Sequence, residues 1–134
     1  MILGIGSDVC FVSGIRRSLS RFGDAYLEHL FSPAEREPCD AGVDPSSLYA
    51  RAFCGKEACA KALGTGMSEG VGWRDIEVIQ TPPLAVLCLS GGALEWLVRI
   101  TPTGHKPVLH ISCSGDSQIA TATAVITAVP THKT

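Results

Sequence analysis

Residues 56–66 read Lys-Glu-Ala-Cys-Ala-Lys-Ala-Leu-Gly-Thr-Gly, a pattern typical of a helix that stops in a glycine turn. At about 100° per residue, Glu57 and Lys61 lie one turn apart and point along the same helix face. The adjoining face is apolar and carries Tyr49, Phe53, Ala60 and Leu63. We therefore expect Glu57 at the edge of buried surface, where a carboxylate is costly unless a metal ion or a lysine neutralises it.

The start of the chain supplies a second acid. Residues 1–9 read Met-Ile-Leu-Gly-Ile-Gly-Ser-Asp-Val, which predicts a short strand that ends at Asp8 and whose glycines allow close backbone approach. One acid from a strand and one from a helix suit Mg²⁺, which completes its octahedron with water and phosphate oxygens. A neighbouring lysine supplies positive charge for those phosphates. Asp8 and Glu57 are therefore the candidate metal ligands, and Lys61 is the candidate phosphate-binding residue.

The remaining pattern predicts an α+β fold, with a mostly antiparallel sheet packed against a long central helix. A single domain is expected over residues 1–134. Helices are expected over residues 12–26, from the capping box Ser32-Pro33-Ala34-Glu35, from a Ser46 or Ser47 cap to about Leu63, and over 93–100. Strands are expected over residues 75–80, 84–89, 108–112 and 119–129, and loops over 38–45 and 66–72. In the first helix Ile15, Leu19 and Phe22 are spaced for one buried face, and the tail from 130 to 134 should fray.

Composition narrows the functional class. The chain has 134 residues, of which 46% are hydrophobic and 18% charged, and its net charge of −2 gives no sign of nucleic-acid binding. No apolar run approaches the ~20 residues of a membrane span. The first residues lack the pattern of a secretory signal, so a cytoplasmic location without membrane attachment is expected.

Six cysteines raise the question of disulfides or zinc. They are Cys10, Cys39, Cys54, Cys59, Cys88 and Cys113, and no two of them form a Cys-x-x-Cys pair. Most lie among apolar or small residues in expected strands and helices. Reduced, buried thiols are therefore favoured over a structural zinc site or a disulfide framework.

Taken in order, the motifs resemble one family, the holo-acyl-carrier-protein synthases, which are small phosphopantetheinyl transferases. The motifs are Gly4-Ile5-Gly6-Ser7-Asp8, Phe31-Ser32-Pro33-Ala34-Glu35, the Lys56-Glu57 helix with Leu63-Gly64-Thr65-Gly66, Trp73-Arg74-Asp75-Ile76-Glu77-Val78, His110-Ile111-Ser112-Cys113-Ser114, and Ile119-Ala120-Thr121-Ala122. Each motif is weak evidence alone. Their order and spacing over most of the chain are specific, so the 4′-phosphopantetheinyl transferase fold is expected.

The resemblance implies an activity and its partners. The enzyme would transfer 4′-phosphopantetheine from coenzyme A to a serine of apo acyl carrier protein, for fatty acid or polyketide biosynthesis. The products would be holo carrier protein and 3′,5′-ADP. The resemblance also implies a homotrimer with active sites between subunits. The first helix would meet the carrier through Arg16, Arg17 and Arg21, although a solvated helix face explains these arginines equally well.

The same resemblance assigns roles to site residues. Asp8 and Glu57 occupy the metal positions, and Lys61 occupies the phosphate position. The family pattern also places Ser112 and Ser114 in coenzyme A binding. Taken singly, Asp8 fits a turn, Glu57 and Lys61 fit a surface ion pair, and Gly64 fits a plain helix C-cap as well as a channel lining. The base that accepts the serine proton stays open between a metal-bound water and Glu57 acting through water.

Two departures from the family pattern concern nucleotide binding. An arginine usually precedes the helix aromatic residue, but Ala52 stands there and Arg51 lies one position earlier. A histidine usually follows the Ser-x-Ser strand, but Gly115 stands there. Arg51, His105 and Lys106 are candidates to compensate, whereas His110 fits a structural role better. The alternative function is therefore a catalytically weakened protein that binds coenzyme A and metal.

Overall fold

The computed structural model describes residues 1–132 and has the expected α+β organisation. The helices are α1 (Val12–Phe22), α2 (Asp24–Leu30), α3 (Pro33–Asp40), α4 (Pro45–Leu63) and α5 (Gly91–Ile100). The strands are β1 (Ile2–Phe11), β2 (Ile76–Thr81), β3 (Leu84–Leu89), β4 (His105–Gly115) and β5 (Ile119–Pro130). A 3₁₀ turn, Trp73–Asp75, precedes β2.

The strands form two antiparallel sheets. The larger sheet has the order β1-β5-β4, and β2 and β3 form a separate hairpin. Across the larger sheet, Asp8 of β1 pairs with Ala122 of β5, and Ala122 pairs with Cys113 of β4. Directly paired residues share a sheet face, so these three side chains point the same way, towards α4. We call this the inner face and the opposite side the outer face.

Helix α4 packs on the inner face with unusually little side-chain material between helix and sheet. The inner-face residues of β5 are almost entirely buried and mostly small: Ala120, Ala122, Ala124, Ile126 and Ala128. A Cβ on Gly4 would collide with the carbonyl oxygen of Ala62. A Cβ on Gly6 would collide with that of Ala58. The backbones of β1 and α4 are therefore in direct contact, which only glycine permits.

The end of α4 agrees with the sequence, but its start does not. Gly64 has a φ of +84°, and its N–H donates to the carbonyl oxygens of Ala60 and Lys61 at 3.1 and 3.0 Å, as expected for a glycine C-cap. The helix begins at Pro45 after Asp44, so Ser46 and Ser47 were the wrong caps. Pro45 is pre-organised for the first helical position, and the Ser47 hydroxyl donates to Asp44 Oδ2 at 2.6 Å.

Two expectations for the helices before α4 were wrong. The helix expected over residues 12–26 breaks at Gly23, whose φ of +59° separates α1 from α2, and Phe22 is 56% exposed instead of buried. Pro38 lies inside α3 instead of opening a loop. Its missing N–H would have bonded to the carbonyl of Ala34, which is an exposed residue, so water can satisfy that carbonyl.

The capping box at Ser32 and Glu35 is confirmed. Glu35 N–H donates to Ser32 Oγ at 3.3 Å, and Ser32 N–H donates to Glu35 Oε1 at 3.0 Å. These reciprocal bonds fix the start of α3 and turn the Glu35 side chain inwards.

Strands β1 and β4 are longer than the sequence indicates. Asp8 lies within β1, not at its end, because β1 pairs with β5 as far as Phe11. Strand β4 begins at His105 because it pairs with β5 over its whole length. Thr131 N–H donates to Gly104 O at 2.8 Å, so the expected fraying does not begin at Pro130, and residues 133–134 lie outside the described part.

All six cysteines are free, as expected. Cys39, Cys54 and Cys59 are buried, whereas Cys88 is exposed. Within residues 1–132 no group of three or more His, Cys, Asp or Glu side chains is placed to hold a metal ion.

Candidate active site at the junction of β1 and α4

Asp8 and Lys61 meet where β1 crosses the C-terminal half of α4. Lys61 Nζ lies 3.1 Å from Asp8 Oδ1 and donates to the carbonyl oxygen of Ser7 at 3.0 Å. The Asp8 side chain is 20% exposed and that of Lys61 51% exposed. The ammonium group is thus held at the carboxylate while the lysine side chain remains open to solvent, so it is free to turn towards a bound anion.

Glu57 faces the same space. Burial raises the pKa of Glu57, the negative charge of Asp8 raises it further, and the Lys61 ammonium lowers it. Because the charge of Asp8 acts on Glu57, the two carboxylates lie close enough to interact although they are remote in sequence. Two converging acids repel each other unless a cation lies between or beside them.

The donor set fits a hard divalent cation with open coordination positions. Two carboxylates and no third His, Cys, Asp or Glu in the described chain cannot close a structural zinc site. Mg²⁺ commonly takes one or two carboxylates and keeps water or phosphate oxygens in its other positions. The neighbouring Lys61 adds the positive charge that a phosphate ligand requires.

A buried ion pair that sequence reasoning missed fixes α4 below this site. Lys56 Nζ lies 2.7 Å from Glu35 Oε1, and both side chains are fully buried. Lys56 also donates to the carbonyl oxygens of Trp73 (2.8 Å) and Ile76, and Glu35 Oε2 accepts from Val78 N–H at 2.9 Å. Burial raises the pKa of Glu35 and lowers that of Lys56, with each partner's charge opposing the shift.

This network explains why Lys56 and Glu57 point in different directions. Lys56 joins α4 to α3 and to the start of β2, and so sets the rotation of the helix about its axis. The next residue, Glu57, is rotated by about 100° and reaches the junction with β1. Two features of the sequence could have indicated this ion pair. They are the adjacent Lys56 and Glu57, and the capping-box residue Glu35, whose side chain the cap turns inwards.

Ser112 and Ser114 do not join the carboxylates within one chain. They pair with Thr123 and Thr121 of β5, one residue out of step with the Cys113–Ala122 pair of the inner face. Since alternate residues of a strand point to opposite sides, both serines lie on the outer face, where both are exposed. The sheet therefore separates them from Asp8.

The turn after α4 lies next to the junction. Gly64 is exposed, and a Cβ there would meet no atom within 4 Å, so its positive φ, not crowding, requires glycine. Gly66 also has a positive φ, +59°. The turn thus brings bare backbone to the surface beside Lys61, compatible with both the C-cap and the channel-lining interpretations.

Comparisons with known proteins show the family of this chain. Residues 4–121 match the family model described as the 4′-phosphopantetheinyl transferase superfamily. A holo-[acyl-carrier-protein] synthase of Methylorubrum extorquens is 49% identical over 131 residues, 97% of this chain and 96% of that protein. The chain belongs to the holo-[acyl-carrier-protein] synthases.

Solved structures of this family share the fold. The Helicobacter pylori synthase in complex with coenzyme A matches with a TM-score of 0.76 and 30% identity, over 92% of this chain and 99% of that one. The synthase of Neisseria meningitidis matches with a TM-score of 0.76 and 30% identity, over 95% and 99%. The α+β expectation and the family resemblance are confirmed.

Arg51 contacts Gly115, one of the two departures from the family pattern, at one edge of the molecule. Arg51 Nη2 donates to the carbonyl oxygen of Gly115 at 2.7 Å, and its buried Nε has no hydrogen-bond partner among the described residues. Ala52 is fully buried, so the neighbouring helix position faces the core. A cleft of about 150 Å³ beside this contact is lined in part by Arg51, Gln80, Ser114 and Gly115.

The histidines near this edge contact other residues. His110 Nε2 lies 3.1 Å from Thr127 Oγ1 across the outer face, in keeping with the structural role expected for it. His105 Nδ1 lies 3.1 Å from the carbonyl oxygen of Thr103 in the turn before β4. Arg51 is thus the candidate that contacts the position where the family carries histidine.

The three arginines of α1 are exposed but differ in their contacts. Arg16 Nη2 lies 3.1 Å from Asp44 Oδ2, and its Nη1 donates to Ser117 O at 3.3 Å. Arg21 lies over the Phe22 ring at 5.2 Å. Together with Arg17 they line an open groove of about 690 Å³.

In residues 1–132, no helix is both long and apolar enough to span a membrane.

Proposed function

We propose that this chain transfers 4′-phosphopantetheine from coenzyme A to the serine hydroxyl of an apo acyl carrier protein, releasing 3′,5′-ADP. The observation that supports the proposal best is the Asp8–Lys61 ion pair at the junction of β1 and α4, with Glu57 close enough to interact with both charges. It occurs in a chain that is 49% identical to a holo-[acyl-carrier-protein] synthase over nearly its whole length.

The difficulty of this reaction is electrostatic, and the site residues address it. A serine oxygen must approach an anionic phosphorus while a phosphate leaves, so catalysis consists largely of alignment and charge neutralisation. Mg²⁺ held by Asp8 and Glu57 would supply positive charge at the pyrophosphate oxygens. Lys61 would leave Asp8 for the phosphate, keep its proton, and stabilise the charge that develops there.

Glu57 is also a candidate proton acceptor. Burial and the charge of Asp8 both raise its pKa, which makes the carboxylate a better base than an ordinary surface glutamate. The serine proton would pass to Glu57 through water or to a water held at the metal. Both routes place the acceptor at the same end of the junction.

The outer face supports the proposal of a homotrimer with shared sites. The face exposes large apolar side chains, namely Ile2, Ile5, Val9, Phe11 and Ile119. A patch of this kind is typical of an interface. In such an assembly the outward Ser112 and Ser114 of one chain would contact coenzyme A bound at the partner's Asp8 and Glu57, with Gly64 lining the channel.

The same proposal extends to the carrier partner and to the location of the reaction. The carrier would dock through its acidic surface on the arginines of α1, where Arg17 and Arg21 are free of the ion pair that holds Arg16. We place the reaction in fatty acid or polyketide biosynthesis and in the cytoplasm. The second candidate, a weakened protein that binds coenzyme A and metal, is favoured by Ala52 and Gly115.

The test mixes the purified protein with apo carrier, coenzyme A and Mg²⁺ and follows intact carrier mass for the added group. Asp8→Ala and Glu57→Ala should abolish transfer, whereas Glu95→Ala, on the exposed side of α5, should leave it unchanged. Full transfer by both variants would contradict the assignment of Asp8 and Glu57 to the active site. Binding of coenzyme A by the unaltered chain without transfer would establish the second candidate. Light scattering should give three times the 14.1 kDa chain mass.

A further inference from the structure

Two cysteines approach each other at the same junction that carries the active site. Cys54 Sγ of α4 lies 3.1 Å from Cys10 Sγ of β1, and the residues are 44 apart in sequence. Cys10 Sγ also lies 3.6 Å from Ala50 O, and Cys54 Sγ lies 3.4 Å from Ala120 O. A disulfide bond is about 2.05 Å long, so the sulfurs need to close by about 1 Å to become bonded.

The pair lies beside the candidate metal ligands on both elements. Cys10 follows Asp8 by two residues, and the two share the inner face, since they pair with Ala120 and Ala122 of β5. Cys54 precedes Glu57 by three residues, which is nearly one helical turn. Strand β1 and helix α4 thus each carry one carboxylate and one thiol, and the thiol pair lies next to the carboxylate pair.

We propose that Cys10 and Cys54 are a reversible disulfide site that joins β1 to α4 and slows transfer when it is oxidised. The bond would draw the strand towards the helix next to Asp8. Gly4 and Gly6 already bring the two backbones into contact, which leaves little freedom to absorb the movement. A displacement of about 1 Å at reacting groups can cost about a hundredfold in rate.

Exposure sets the order of the chemical steps. Cys10 is partly exposed and Cys54 is fully buried, so a small peroxide reaches Cys10 first. The Cys10 sulfur attacks one peroxide oxygen, breaking the O–O bond, and gives a sulfenic acid and one water. The Cys54 sulfur then attacks the Cys10 sulfur, and the hydroxyl leaves as a second water. Two thiols lose two electrons and two protons, and one peroxide is reduced to two waters.

The other cysteines make this pairing specific. Cys88 is exposed on β3, in the separate hairpin. Cys113 is the nearest rival, because it lies on the inner face of β4 and its Sγ would be 3.4 Å from a Cβ built on Gly55, the residue after Cys54. The experiment must therefore identify which two cysteines are joined.

The experiment treats the full-length, fully reduced protein with dilute hydrogen peroxide and follows intact mass, a non-reducing peptide map and the rate of transfer to apo carrier. We expect loss of two hydrogen atoms, a Cys10–Cys54 linked peptide, a raised unfolding temperature and an approximately tenfold lower rate that dithiothreitol restores. Cys88→Ser should behave as the unaltered protein. Cys10→Ser and Cys54→Ala should lose the linkage and keep their rate under peroxide.

Several outcomes would overturn the proposal. They are a Cys54–Cys113 linkage, a sulfinic acid at Cys10 without linkage, or no change in mass. A Cys10–Cys54 linkage that leaves the transfer rate unchanged would overturn the coupling to the active site. If Cys54→Ala fails to fold, Cys10→Ser alone decides the assignment, because the partly exposed residue tolerates serine. Linkage is read by mass, so it can be scored even if no transfer occurs.

Discussion

The junction of β1 and α4 and the edge formed by Arg51 and Gly115 differ in how closely they keep the family pattern. At the junction, bare backbone contact at Gly4 and Gly6 and the buried Lys56–Glu35 pair fix the strand and the helix that carry Asp8 and Glu57. At the edge, two family side chains are missing and an arginine one position away binds a backbone carbonyl. The groups proposed for the chemistry thus match the family's sequence pattern, whereas two of the positions that the pattern assigns to the nucleotide do not.

The largest effect should come from removing the charge that supports the junction. Lys56→Met leaves Glu35 buried without its partner, so the free energy of unfolding should fall by about 3–5 kcal/mol. Urea unfolding measures this change, and Lys106→Met, on an exposed residue of β4, serves as the control. The double variant with Glu35→Gln should recover part of the loss. A loss below about 1 kcal/mol would mean that the buried pair does not hold the junction.

The protonation of Glu57 should move activity and stability in opposite directions. Its folded-state pKa is raised, so without metal the unfolding free energy falls as pH rises from the ordinary glutamate value through the raised one. Transfer needs the ionised carboxylate, which the bound metal favours, so the transfer rate should rise with pH over a more acidic range, by about tenfold per pH unit on its acid side.

The measurement is a pH series of transfer rate and of urea unfolding without metal. Glu57→Gln should remove this component of the stability profile, because glutamine does not titrate. A transfer rate that increases towards acid pH would contradict a role for the ionised Glu57 at the junction.

Charge reversal on α1 should lower recognition of the carrier without touching either region. The double variant Arg17→Glu with Arg21→Glu should lower kcat/KM for an acidic carrier about tenfold at low salt, and less at high salt because ions screen the interaction. Arg99→Glu, exposed on α5, is the matched control. Equal kcat/KM at low salt would assign these arginines to a solvated face.

The smallest effect concerns the altered edge. Since Arg51 already bonds to Gly115 O and Ala52 carries no charge, coenzyme A should be preferred over 3′-dephospho-coenzyme A by about tenfold or less. Arg51→Ala should reduce even that preference. Comparison of kcat/KM for both donors measures it, and a preference of a hundredfold or more would show that phosphate recognition at this edge is intact.

The elements that the sequence predicts best are those with local chemical signals. The capping box at Ser32, the stop at Gly64 and the strand over 84–89 each depend on neighbouring residues alone. The break at Gly23 was missed although a glycine of positive φ is a local signal that ends a helix. The helical Pro38 was missed because the exposure of Ala34, whose carbonyl loses its partner, cannot be read from the local sequence. The pairing of Asp8 with Glu57 as metal ligands is suggested by the residues themselves, but only the family pattern favours it over a turn and a surface ion pair.

The parts of the site that the sequence did not reveal depend on where side chains point in the folded chain. Lys56 reads as an ordinary helix lysine, and only the fold brings Glu35 and two carbonyl groups to its ammonium. Ser112 and Ser114 fit the family motif, but the strand register that turns them to the outer face is a property of β5. The approach of Cys10 to Cys54 likewise requires the packed strand and helix.

Gly4 and Gly6 also bear on how the enzyme can diverge. Core mutations usually shift an element by changing the volume of the side chains beneath it. Strand β1 rests directly on the peptide groups of Ala58 and Ala62, where no side chain intervenes to grow or shrink. Substitutions elsewhere in the core should therefore leave the spacing of Asp8 and Glu57 unchanged. Substitutions on the surface can then alter specificity without disturbing the two acids.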